Sequence, residues 1–150
     1  MLFDSNKCYY IGDKKDRICI YDDPCDEYLH SQGIIYCGVT KVQFGELIVS
    51  VIIVDSEFFR LDENIRNFFI QHEIGHIKHN DDNTSKMLGK LIVLGRSIGC
   101  LPKMEVRADC YAASVIGKGA AKAALRSLAS NKNLPIMSRF ECFRRSNKIK

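Results

Sequence analysis

Residues 69–79 read Phe69-Ile70-Gln71-His72-Glu73-Ile74-Gly75-His76-Ile77-Lys78-His79. If this stretch is helical, His72 and His76 lie one turn apart on the same face, and the surrounding pattern predicts a helix. Ile65, Phe68, Phe69, His72, His76 and His79 fall on one stripe at helical spacing, and Ile70, Ile74 and Ile77 form a second. A helix that is apolar on more than one side is largely buried. Asp62 can cap it, which gives a helix from about Glu63 to His79, broken by Asn80-Asp81-Asp82-Asn83. Two imidazoles so placed can bind one zinc ion at about 2.0–2.1 Å each. Glu73 is turned about 100° from His72, beside such an ion rather than on it. There it can take a proton from a zinc-bound water, whose pKa the metal lowers toward about 7.

A catalytic zinc ion needs a third protein ligand and an open position. Glu105 and Asp109, in Met104-Glu105-Val106-Arg107-Ala108-Asp109, make a second pair four residues apart, flanked by the small Ala108, Ala112 and Ala113. One carboxylate can bind the metal. The other, one turn on, can accept the free imidazole N–H of a ligand histidine and so fix its tautomer. His79 shares the histidine stripe, but a straight helix puts it about 10 Å along the axis from His72, too far to share one ion with both. A surface or capping role near the helix end suits it better. His30 stands alone in a polar turn.

The rest of the chain supplies a frame for this helix. Arg17–Tyr21 and Ile34–Val39 read as strands, and Glu46–Val54 as the strongest strand, apolar on both faces as in the middle of a sheet. The alternative use of that last segment, an edge that pairs with an extended peptide, fits its apolar faces less well. Helices are predicted over Ser85 to about Ile98, from Pro102 to near Gly117, and over Ala120–Ser130. The tail after Pro135 is basic and reads as a solvated terminus, flexible over about 140–150.

At 150 residues the chain suits one domain with one core. A net charge of +4 is too small to mark a nucleic-acid binder, which needs a concentrated basic face. No apolar run reaches the roughly 20 residues of a membrane span. Met1–Cys8 lacks the pattern of a secretory signal, so a cytoplasmic location is expected. The seven cysteines are odd in number and contain no Cys-x-x-Cys, which predicts free thiols in a reducing compartment.

Phe69 to Asp81, followed by Glu105-x-x-Ala108-Asp109-x-x-Ala112-Ala113, resembles the gluzincin metallopeptidases of the HtpX and CAAX prenyl protease family, most of all their short single-domain "minigluzincin" forms. The resemblance runs from Asp55 to about Arg139. It implies His72, His76 and Glu105 as ligands of one zinc ion per chain, Glu73 as general base, and Asp109 as hydrogen-bond partner of a ligand histidine. It implies peptide-bond hydrolysis and a peptide or protein substrate. The membrane helices of the larger members are missing. Leu134 stands where a family stretch usually begins His-Pro, and no histidine follows position 79. A side chain that stabilises the transition state would then be Tyr111, Arg139 or a neighbouring basic residue.

The expected fold is therefore α+β and zincin-like, with a small N-terminal sheet packed on a helical half that carries the active-site helix. The motifs also resemble those of small regulatory proteases of the ImmA type, which act on repressors. A non-catalytic, zinc-stabilised interaction module is a third reading, against which Glu73 argues, because a structural site has no use for a base.

Overall fold

The computed structural model describes residues 9–11, 18–22, 37–44, 46–54, 56–80 and 103–150. The strands are β1 (Tyr9–Ile11), β2 (Ile18–Asp22), β3 (Cys37–Phe44) and β4 (Leu47–Val54), in the sheet order β1-β2-β4-β3. A short 3-10 turn, Ser56–Arg60, leads into α1 (Glu63–Lys78). Then follow α2 (Lys103–Ile116), α3 (Lys118–Ser130) and α4 (Ile136–Lys148). The chain is thus α+β and mostly helical. The helix expected over Ser85–Ile98 and the turn holding His30 lie outside the described residues.

β4 lies inside the sheet, as its β-branched, two-sided apolar sequence requires. It pairs antiparallel with β3, where Val39 faces Ile52, and parallel with β2, where Cys19 faces Val51. β3 runs past Val39, where the apolar pattern ended, to Phe44, because it forms a hairpin with β4 down to the Phe44–Leu47 pair; residues 34–36 of the expected strand lie outside the described residues. β1, which the sequence reading did not assign, pairs antiparallel with β2.

Two apolar clusters meet on α1. Cys37, Ile52, Val54 and Phe58 enclose Ile74 on the sheet side. Ile65 and Phe68 pack on the helical side with Ala112, Ala121, Leu125 and Leu128. This accounts for the double apolar stripe of α1: the helix is wedged between sheet and helices. Asp62 caps it, its Oδ1 accepting from the Asn64 N–H at 2.9 Å. At the other end the ring Nδ1 of His79 donates to the Gly75 carbonyl at 2.7 Å, so His79 is a capping residue.

Two glycines have positional reasons. Gly117 has φ +94 between α2 and α3, a conformation that L side chains rarely adopt. Gly75 lies where α1 and α2 touch: a Cβ there would meet the Ala108 Cα at 3.0 Å, the Tyr111 Cβ at 3.1 Å and the Ala108 carbonyl oxygen at 3.2 Å. Gly→Ala inside a helix ordinarily stabilises by about 0.5–1 kcal/mol. Here overpacking against backbone, of order 1–3 kcal/mol, should win. Gly75→Ala is therefore expected to lower the thermal midpoint, and a raised midpoint would contradict the close contact.

The basic tail is not a solvated terminus. Ile136–Lys148 forms α4, and Ser138, Arg145, Ser146 and Ile149 are buried. Cys110 and Cys142 are free thiols, and Cys37 is buried in the core. Among the described residues no helix is long and apolar enough to cross a membrane.

Candidate metal centre

The close approach at Gly75 lays Glu105 of α2 across the His72–His76 face of α1. The Nε2 atoms of His72 and His76 are 3.0 Å apart. Glu105 places Oε2 at 3.2 Å from His72 Nε2 and Oε1 at 3.3 Å from His76 Nε2. All three side chains are buried, and one ligand atom from each lies within 4.8 Å of the others, so the group could hold a metal ion. Among the described residues, both Glu105 oxygens are buried without a hydrogen-bond partner, as is Oε1 of the adjacent Glu73. Unpaired buried carboxylate oxygens are costly. A cation seated among these nitrogens and oxygens would satisfy the carboxylate of Glu105, so the residues present fit a metal ion.

Around this group lies a second layer. His72 Nδ1 contacts Asp109 Oδ1 at 2.8 Å. With Asp109 accepting the Nδ1 proton, Nε2 of a neutral His72 turns its lone pair toward His76 and Glu105. Asp109 is held by Arg145, whose Nε donates to Oδ2 at 2.8 Å and Nη2 to Oδ1 at 2.6 Å, a two-pronged guanidinium–carboxylate pair. The same Nη2 lies 4.0 Å from Glu105 Oε2.

Charge in this buried cluster is balanced pairwise. Burial works against the His72 cation, but Asp109 and then Glu105 outweigh it and raise the pKa to about 10. Burial pushes the Glu73 carboxyl up to about 7; His72, His76 and Arg145 oppose that rise and Glu105 adds to it. Burial would raise Glu105 as well, yet the two histidines and Arg145 hold it far below the usual carboxylate range. Arg145 and His72 overcome burial at Asp109 in the same way and lower it.

A consequence for metal affinity follows. Without metal, His72 keeps its proton until about pH 10, and a metal ion must displace that proton to reach Nε2. Below this pKa one proton should leave per ion bound, so the apparent affinity should rise about tenfold per pH unit between roughly pH 7 and 9. Competition against a chromophoric chelator measures it. An affinity that stays flat over this window would mean that His72 is already neutral.

Of the residues singled out in the sequence, His72, Glu73, His76, Glu105 and Asp109 come together. Tyr111 and Arg139 are engaged elsewhere. The Tyr111 ring stands edge-on to His79 with centroids 6.4 Å apart, and its side chain packs against the sheet-side cluster. Arg139 donates from Nε to the Ala129 carbonyl at 2.9 Å and lines a groove between α3 and α4. The arginine at the cluster is Arg145, which the sequence reading placed in a solvated tail. One weak signal marks it: Ser138, Cys142, Arg145 and Ile149 are spaced as a single helical stripe.

No family model, curated protein or solved structure matches the chain. The functional reading therefore stands on the sequence motifs and the geometry of this cluster.

Proposed function

We propose that the protein is a zinc-dependent metallopeptidase of the gluzincin type. The observation that carries the reading is the convergence of the His72 and His76 nitrogens on the buried carboxylate oxygens of Glu105, with Glu73 next to His72 in sequence. A donor set of two imidazoles and one carboxylate is a familiar catalytic zinc set. When bound, zinc would supply a polarised water and a Lewis acid for the scissile carbonyl. In this reading Glu73 accepts a proton at its carboxylate and delivers it to the leaving amine. Burial raises the affinity of this carboxylate for a proton, which suits a base. Asp109, clamped by Arg145, fixes the tautomer and ring orientation of His72. Regulatory cleavage of the ImmA type would use the same residues on a narrower substrate.

Two measurements test the proposal together. Metal analysis after zinc loading should find about one zinc per chain. A peptide-library digest read by mass spectrometry should yield cleavage products that disappear with chelator. Zinc bound without any cleavage would support the interaction module instead. Failure to bind any divalent ion would overturn the metal reading altogether.

A further inference from the structure

A second feature lies away from the metal cluster, on the paired helices α3 and α4. Ile136, Phe140 and Phe143 follow one another at helical spacing on α4 and are 75%, 51% and 50% exposed. Apolar side chains this large, grouped on one face, mark an interaction surface more often than chance exposure does. With Ala129 and Ser130 of α3 they line a groove between the two helices, and Arg126 and Arg139 form its remaining walls. Arg144 lies over the outer face of Phe140, 6.0 Å from the ring centroid. The charged side chains that line or overlie the groove are the arginines Arg126, Arg139 and Arg144, in a stretch of sequence that is mainly basic. From Cys110 to Lys150 the only acidic residue is Glu141, against nine lysines and arginines.

We propose that this groove docks an acidic amphipathic helix of a partner protein. Its apolar side chains would seat on Ala129, Ile136, Phe140 and Phe143, and its carboxylates would meet Arg126, Arg139 and Arg144. Charge complementarity selects this occupant. A second copy of the chain would bring a like-charged face against this one. The shallow groove, with aliphatic as well as aromatic lining, suits the apolar face of a helix laid along it. A single nucleic-acid strand would favour aromatic platforms without Ala129 and Ile136, and a lipid surface, which takes apolar and basic side chains of a helix together, is distinguished by the vesicle control below.

The test uses the full chain and a labelled synthetic peptide with Leu and Phe on one helical face and Glu on the other. Fluorescence anisotropy follows binding. Controls are the scrambled peptide, the same peptide with Lys for Glu, vesicles of phosphatidylcholine with phosphatidylserine, and oligothymidylate. The acidic amphipathic peptide should bind, less tightly as salt rises, and the scrambled and lysine peptides should not. Phe143→Ser and Arg126→Glu, both at exposed positions, should each weaken binding by about tenfold or more, with the helical circular dichroism spectrum unchanged. The proposal is overturned if the acidic peptide binds no better than its scrambled form. It is equally overturned if both variants bind like wild type, or if vesicles or oligothymidylate hold the protein more tightly than the peptide does.

Discussion

Glu73→Gln is expected to keep its metal and lose its turnover. The amide has nearly the volume of the carboxylate and keeps an oxygen acceptor, so the buried site should remain packed. It cannot take up a proton. The loss of a general base costs turnover about 10² to 10⁴. Glu73 is buried beside His72, and its Oε1 finds no hydrogen-bond partner among the described residues, which suits an atom used for chemistry rather than for support. His76→Ala should behave differently: it deletes a nitrogen 3.0 Å from His72 Nε2 and 3.3 Å from Glu105 Oε1, so metal and activity should vanish together. The pattern to look for is metal-loaded and inactive for Glu73→Gln, against metal-free and inactive for His76→Ala. Wild-type cleavage by Glu73→Gln would refute the hydrolytic role given to this carboxylate. Loss of metal in Glu73→Gln would turn Glu73 from base into ligand.

The second large effect is expected at Arg145→Met. The methionine fills much of the space and removes the charge. Asp109 then loses both guanidinium contacts, and Glu105 loses a cation at 4.0 Å, while both carboxylates stay buried. Removing one partner of a buried ion pair costs about 3–5 kcal/mol, because the other is left uncompensated. Denaturant unfolding of the metal-free protein should show a loss of that order. Zinc affinity should fall as well, by about 10- to 100-fold, since Asp109 would no longer be held against His72 Nδ1. Arg145→Lys restores the charge without the planar two-pronged fit and should fall between the two. Should Arg145→Met unfold at the wild-type denaturant concentration, the ion pair would not be what holds α4 to α2.

The His72–His76 face of α1 is a local affair, and the sequence by itself determined it. Residues four apart on a helix share a face whatever the helix later packs against. The spacing of His72 and His76, the double apolar stripe and the Asp62 cap therefore sufficed to place the two imidazoles and Glu73. The same geometry set Glu105 and Asp109 on one face of α2, and the β-branched run Leu47–Val54 marked the interior strand. Which carboxylate would meet which nitrogen was a different matter. It depends on how closely α2 can approach, and that is decided at Gly75, where the missing side chain admits the backbone of Ala108.

Arg145 belongs wholly to the tertiary structure. In Phe143-Arg144-Arg145-Ser146 no property of the local sequence separates the arginine over the Phe140 ring from the one that closes the buried cluster. A terminal run of basic residues has the composition of a solvated tail. Its burial came from the packing of α4 on α3 and from two anions, Asp109 and Glu105, that lie 36 and 40 residues earlier in the chain and needed a cation at that point. Periodicity records contacts one turn away. A charge pair formed between helices far apart in sequence leaves almost no trace in it, because the partner that makes the burial favourable is brought there only by folding.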